Sequence, residues 1–370
     1  MHVTVLGGGV IGLSAAWRLA GAGHRVTVLD PAPASGASWV AGGMLAPVTE
    51  ACPGEEELLD LGLDSVARWP GFAADVARAS GMAAGLRTEG TLVAATGAGD
   101  RAELDALAEH LARLGRDVER LSGRELRRLE PALGPDVRGG LSVPGDLAVD
   151  NRQLLGALRV AAESAGVSFA TGAAVAVEDD GTRVTGVRCT SGSGAADAVV
   201  VAAGAHSGSL HPVLDGLVRP VKGEVLRLAA RPGSLPPPSR TVRALVDGRP
   251  VYAVPRDGGG LVVGATQYEA GFDTEVTVAG VRDLLRDVER VLPGVDGYAL
   301  VESAAGLRPG TPDNRPLIGR AGPEGLVLAT GHGRNGMLLA PLTADAVLAL
   351  VDGGDGPAGA DPARFAGARR

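Results

Sequence analysis

Apolar residues at 2–6 give way to a glycine-rich turn, then to an Ala- and Leu-rich stretch at 13–22, then to a second apolar run at 25–29 that ends on Asp30. A short, mostly apolar run of five residues suits a buried strand, and the longer stretch has helical composition. The pattern therefore predicts strand, turn, helix, strand. Further along it predicts helices over 55–80, 100–114, 151–165 and 277–292. A short helix is expected after Ser122, where Ser122-Gly123-Arg124-Glu125 reads as a capping box, and Asp150 is placed to cap the helix that follows it. Strands are expected over 86–96, 167–170, 174–178, 182–189, 197–203, 220–228, 251–254, 261–266, 298–306 and 326–330. The run AVVVAA at 198–203 is apolar throughout, as in a strand covered on both faces. The last helix is expected to open within 331–337, and the Gly-, Pro- and Asp-rich tail from Gly353 is expected to fray.

The first turn carries chemistry. Gly7-Gly8-Gly9-Val10-Ile11-Gly12 matches G-x-G-x-x-G between a strand and a helix. Gly7 permits the tight turn, Gly9 lets a pyrophosphate approach the backbone, and Gly12 lets helix and strand pack closely. The helix start offers free N–H groups and the positive end of its dipole. Asp30, closing the second strand, is placed to accept hydrogen bonds from a ribose. Pro31 follows it, with no arginine there for a 2′-phosphate, which disfavours NADP. The small residues at 35–38 and 42–44 would let backbone lie against a flat or phosphorylated ligand.

Bulk composition narrows the picture. A chain of 370 residues exceeds one ordinary core, so two joined domains are expected. Aromatic residues make up only 3%, so Val, Leu and Ala must build the interior. The net charge is −8, with no basic block outside the terminal Arg369-Arg370, which argues against a nucleic-acid surface. An anion site inside must then use a few placed arginines. Cys52 and Cys189 have neither metal spacing nor a disulfide pattern, and no metal is expected. A reduced cytoplasmic chain is the expectation. No basic leader precedes the first strand, and the apolar stretch at 338–351 is interrupted by Pro341 and Asp345, so no membrane span is expected.

Four blocks together are more specific: GGGVIG with Asp30, ASWVAGGMLAP at 37–47, GLRPGTPDNRPLIG at 306–319 and GHGRNGMLLAP at 331–341. In these the chain resembles the D-amino acid oxidase-like FAD-dependent oxidoreductases, and within them the glycine oxidase branch linked to thiazole synthesis. The resemblance implies an α/β fold. A Rossmann-like, glutathione reductase-type FAD-binding domain (1–80, 145–215 and 300–370) would be interleaved with an antiparallel-sheet substrate domain (81–144 and 216–299). It implies FAD contacts at Gly7, Gly9, Val10, Ile11, Gly12, Asp30, Ala37, Ser38, Gly42, Gly43 and Met44. Val175 would meet adenine through its backbone, and Ala203 and Gly204 would lie near the pyrophosphate. The flavin end would be held by His332, Gly333, Arg334, Asn335, Gly336, Met337 and Leu338, partly through the start of the last helix.

The implied substrate is a small amino acid. Arg308 would grip its carboxylate with a planar fork, Arg334 would assist or face the flavin, and Arg315 reads as structural. Tyr252 would donate to the same carboxylate, while Gln267 stands where an apolar residue is expected and puts the pocket's size preference in question. His332 reads as a backbone contact and not as a base. The implied reaction passes a hydride from the substrate's α-carbon to flavin, and O2 then reoxidises the flavin to give hydrogen peroxide and an imine or glyoxylate. No cysteine precedes Thr311-Pro312-Asp313, so FAD is expected to be non-covalent. A thiazole synthase partner and a homo-oligomer, dimer or tetramer, belong to the same set of expectations. Sarcosine oxidase, D-amino acid oxidase or dehydrogenase, and an inactive FAD-binding protein are the competing readings. Retention of Arg308 and Arg334 disfavours the inactive one, and the opening motif alone does not separate FAD from NAD.

Overall fold

The computed structural model describes residues 1–116 and 118–366; the arginine pair at 369–370 lies outside them. β1 (His2–Leu6), α1 (Val10–Gly21) and β2 (Arg25–Leu29) form as the pattern predicts. β1 pairs in parallel with β2 on one side and with Ala198–Val201 on the other. Ser168–Ala170 and Leu326–Thr330 extend the parallel sheet, and Leu317–Arg320 adds an antiparallel edge. Val3, Val5 and Leu6 are fully buried, as are Val199, Val200 and Val201. Each such side chain stabilises the fold by about 1.5–3 kcal/mol. Helix α1 packs against Asn151–Ser164 and Ala340–Val351, and its Trp17 meets Phe72 edge-on. The chain order reverses at β1, so the crevice at the carboxyl ends of β1 and Ala198–Val201 is where a ligand fits.

The second sheet has eight strands in the order Ala299–Gly310, Arg219–Ala229, Gly260–Gly264, Arg249–Pro255, Thr241–Val246, Thr91–Ala95, Gly139–Val143 and Glu119–Ser122. It is antiparallel except where Thr241–Val246 runs parallel to Thr91–Ala95. The amphipathic helix Val278–Val291, capped by the Thr277 side chain, covers one face through Leu284, Val288 and Val291.

Several expectations change. The strand expected over 86–96 breaks at Gly90, whose φ of 83° turns the chain between Leu86–Arg87 and Thr91–Ala95. Thr241–Val246, Gly139–Val143, Leu317–Arg320 and Gly192–Ala195 are strands that the pattern did not separate from loops. The strand beginning at Ala299 stays in the eight-stranded sheet as far as Gly310, so the boundary expected at 299/300 falls at its start. The last helix begins at Ala340, after a 3-10 turn at Gly333–Asn335; Pro341 lies in its first turn and starts the helix where an interruption was expected. The tail over 353–366 is packed: Ala360 is fully buried and Arg364 bonds the Asp313 carboxylate at 2.8 Å. Among the described residues no helix is long and apolar enough to cross a membrane, and no cluster of His, Cys, Asp or Glu could hold a metal. Both cysteines are free.

Candidate functional site

A cavity of about 600 Å³ lies between the two sheets. Its first end is made of backbone. Gly7 has φ 104°, and a side chain there would strike the Ala202 carbonyl. The Gly7 N–H donates to the Leu29 carbonyl at 3.0 Å and the Ala202 N–H to the Leu6 carbonyl at 2.8 Å, so neighbouring strands fix the turn. Gly9 caps α1 without a side chain, leaving Val10 and Ile11 in the wall; the Val10 N–H donates to the Ser38 hydroxyl at 3.0 Å. Gly12 does not line the cavity, but a side chain on it would collide with the Gly7 carbonyl, which is the packing role expected of it. Asp30 accepts from the Gly8 N–H at 2.6 Å and the Ala32 N–H at 2.7 Å. A carboxylate offers about four lone-pair sites, so two remain for a ligand hydroxyl.

The middle wall, 37–44, is clamped from behind. Asn151 donates to the carbonyls of Ser38 and Trp39, both at 2.8 Å, and Arg256 donates to the Gly42 carbonyl at 2.8 Å. Burial pushes the Arg256 guanidinium down to about 10. Asn151 and Arg256 carry no motif signal; only the folded chain brings 151 and 256 behind the loop.

The second end is made of side chains. Tyr252 lies against Gly42 and Gly264, and a side chain at either would hit its ring. Its hydroxyl has no hydrogen-bond partner among the described residues. Burial pushes its pKa up, so it stays protonated and able to donate. Arg308 is directly across the sheet from Val221 and passes over Gly223, where the missing side chain makes room for the guanidinium. Its hydrogen bond goes to the Thr266 carbonyl at 3.3 Å, and no carboxylate lies within ion-pair distance among the described residues. Arg334 differs. It bonds the Glu55 carboxylate at 2.6 Å and the Glu50 carbonyl at 3.2 Å, with the Glu50 carboxylate 4.0 Å away. His332 is buried, shares a 3.0 Å hydrogen bond with Thr343, and burial pushes its pKa down to about 3, so it is neutral.

The wall thus brings together Gly7, Gly9, Val10, Ile11, Asp30, Ala37, Ser38, Gly42, Gly43, Met44, Ala203, Gly204, Tyr252, Arg308, His332, Gly333, Arg334, Gly336 and Met337. It does not include Val175, which is 40% exposed; the preceding Ala173 and Ala174 take its place. Gln267 is exposed and outside the wall, in the irregular stretch after Gly264 that is still bonded to the Arg219–Ala229 strand through the Lys222–Tyr268 bridge. Asn335 and Leu338 line a small crevice behind Arg334 instead. Arg315 is structural, as expected: it is paired with Asp313 at 3.0 Å. Glu50, which the sequence reading passed over, is in the wall. The residues fit an extended dinucleotide. Glycines keep the turn open at 7 and 9, a helix start faces the cavity, and Asp30 stands beside it.

The model of the DAO family, described as FAD dependent oxidoreductase, matches residues 2–350. The chain belongs to this family. The family is described as FAD-dependent, and the residues of the wall fit that cofactor. It is 36% identical over 355 residues to the bifunctional protein ThiO/ThiG of Synechocystis sp., covering 94% of this chain and 51% of that protein. The chain thus spans about half the length of the bifunctional relatives it matches. It is 35% identical over 350 residues to the putative thiamine biosynthesis oxidoreductase ThiO of Rhizobium etli, covering 94% and 95% of the two chains. The crystal structure of glycine oxidase from Geobacillus kaustophilus superposes with a TM-score of 0.88 at 34% identity, covering 95% of each chain.

Proposed function

We propose that this DAO-family member oxidises glycine and other small primary or secondary amines, sarcosine and small D-amino acids among them. The observation that carries the reading is the Arg308 guanidinium without an acidic partner, near a Tyr252 hydroxyl without a hydrogen-bond partner among the described residues, in one cavity wall. A charge held so is a receptor for a carboxylate, and the tyrosine adds a second donor. Relatives named glycine oxidase, similar over nearly the whole chain, support glycine as substrate.

In this reading FAD is held non-covalently. The 7–11 turn, Asp30, Ser38 and Gly204 take the adenosine and pyrophosphate portion, and 42–44 with 332–337 take the flavin. When bound, FAD accepts the hydride from the substrate carbon and returns its electrons to O2, giving hydrogen peroxide. The chain's own contribution is positional. Arg308 and Tyr252 fix the carboxylate, which aims the neighbouring carbon, and the Gly42–Tyr252–Gly264 stack keeps the ring from turning. His332, neutral and bonded to Thr343, neither takes nor gives a proton. The imine is hydrolysed by water to an oxo acid, glyoxylate from glycine, with ammonia or an amine as the leaving group, or is passed to a partner. The name ThiO/ThiG, borne by relatives twice as long, supports a thiazole-forming partner. A cytoplasmic homo-oligomer completes the reading.

Purified protein should be yellow, lose its flavin colour anaerobically on addition of glycine, and release peroxide in air. Denaturation should free the flavin into the supernatant. Sarcosine, D-alanine and D-proline serve as parallel arms. Flavin that stays oxidised with every one of these substrates would exclude the reading; colour left in the pellet would exclude non-covalent attachment.

A further inference from the structure

The cavity wall contains two carboxylates, Asp30 and Glu50. Asp30 is at the glycine-turn end and is bonded to the Gly8 and Ala32 N–H groups. Glu50 is at the other end, where Arg308 and Glu50 both lie near enough to the Tyr252 hydroxyl to bias its ionisation, in opposite senses.

Glu50 is also held in place on several sides. Its carboxylate is 3.2 Å from the Arg243 guanidinium, and its side chain is 15% exposed. Arg243 donates to the Thr49 carbonyl at 2.9 Å. The fully buried Asp146 accepts from the Val48 N–H at 3.2 Å and the Thr49 N–H at 2.9 Å, which fixes the turn leading into Glu50. Arg334 holds the Glu50 carbonyl from the far side. Keeping a carboxylate largely out of water is costly unless something compensates it. Arg243 compensates it at 3.2 Å and the Arg334 guanidinium, 4.0 Å away, adds to this, and a carboxylate has lone pairs beyond these for a further cation.

A small amino acid in solution carries a carboxylate and an ammonium on adjacent carbons or on one carbon. Near one tyrosine hydroxyl the wall offers the Arg308 guanidinium, without an acidic partner among the described residues, and the fixed Glu50 carboxylate. Resting on the function proposed above, we infer that Glu50 is a specificity-determining residue: it receives the amine end of the substrate while Arg308 receives the carboxylate, and it repels amines that carry a second carboxylate. Attraction of the right charge and repulsion of the wrong one then act through a single side chain.

The test compares three small molecules on the holoenzyme: glycine, iminodiacetate, which adds a second carboxylate on nitrogen, and glycolate, which keeps the carboxylate and lacks the amine. In Glu50→Gln, kcat/KM for glycine should fall roughly tenfold, mostly through KM. The ratio of iminodiacetate to glycine efficiency should rise by about tenfold or more, and glycolate binding, read from the flavin spectrum, should stay within about twofold. Glu50→Asp, which keeps the charge, should restore the wild-type ratio. If Glu50→Gln sheds FAD, the double variant Glu50→Gln/Arg243→Gln removes both members of the pair and reads the same ratio. An unchanged ratio, or equal weakening of glycine and glycolate, overturns the inference. Wild-type flavin that glycine fails to reduce would instead sink the functional reading beneath it.

Discussion

The two ends of the cavity are built by opposite means. Near β1 the wall is backbone: a left-handed Gly7, an open helix start, and carbonyls and N–H groups tied to neighbouring strands. Near Tyr252 the wall is side chains that come from 50, 252, 308 and 334, and what each can do depends on its partners. A backbone site tolerates charge changes and fails when a side chain is added. A side-chain site tolerates small volume changes and fails when a charge is removed. The predictions below separate the two.

The largest effect is expected at the side-chain end. Arg308→Ala should cut kcat/KM for glycine by roughly a hundredfold, because it removes the charge that no carboxylate in the wall offsets. Arg308→Lys should recover only part of this, since an ammonium lacks the planar fork. FAD content should stay at the wild-type level in both. Steady-state kinetics that match the wild type would remove Arg308 from the substrate site.

At the backbone end, Gly7→Ala should do the reverse. The φ of 104° is strained for alanine and its side chain would meet the Ala202 carbonyl. The cost is on the order of 1–3 kcal/mol of stability, read as a lower Tm. The FAD-to-protein ratio should drop, while whatever holoenzyme remains should show a near-normal KM for glycine. A variant with full FAD content would show that the turn does not need its glycine.

Arg334 tests whether the second arginine belongs with the first. In sequence the two are alike, each an arginine in a glycine-rich block. In the fold Arg334 is already bonded to Glu55, so less of its charge is available. Arg334→Gln should therefore cost less than Arg308→Ala, roughly tenfold or below in kcat/KM, and should also lower Tm because Glu55 loses its ion pair and keeps only the Asn314 hydrogen bond. A loss equal to that of Arg308→Ala would make the two a joint clamp.

The same contrast explains how much could be read beforehand. Gly7 to Asp30 was legible because its constraints are local: a turn, a helix start and a strand end within one short stretch. The parallel strands were legible from their continuous apolarity. Thr241–Val246 was not, because Arg243 interrupts its pattern and a Pro-rich stretch precedes it. The positions of Arg308 and Tyr252 followed from family motifs, but their free charge and free hydroxyl did not. Neither did Glu50, whose importance rests on Arg243 and Asp146, far away in the chain. Gln267 and Val175, which the motifs also named, lie outside the wall. A motif position says which residue aligns, and the local course of the backbone decides which one faces the cavity.

The smallest effect on activity, and a distinct one on stability, is expected at His332. Burial pushes its pKa down to about 3 from an ordinary 6.5. Between these values the unfolded chain binds a proton that the folded chain does not. The resulting stability is present in full above pH 6.5 and is lost as pH falls toward 3, at about 1.4 kcal/mol per pH unit. His332→Gln, which can still bond Thr343, should make the fall of Tm below pH 6.5 shallower. Asp146 works with the opposite sign: burial raises it to about 6, so its contribution is present below pH 3.8 and is lost as pH rises through 6. Asp146→Asn should therefore steepen the acid-side fall of Tm over that window, which keeps the two buried groups apart in a Tm-against-pH series. The pH profile of kcat should keep its shape in His332→Gln. A kinetic limb between pH 5 and 7 that vanished in this variant would mean that His332 titrates in the working site, and would make it part of the chemistry instead of part of the wall.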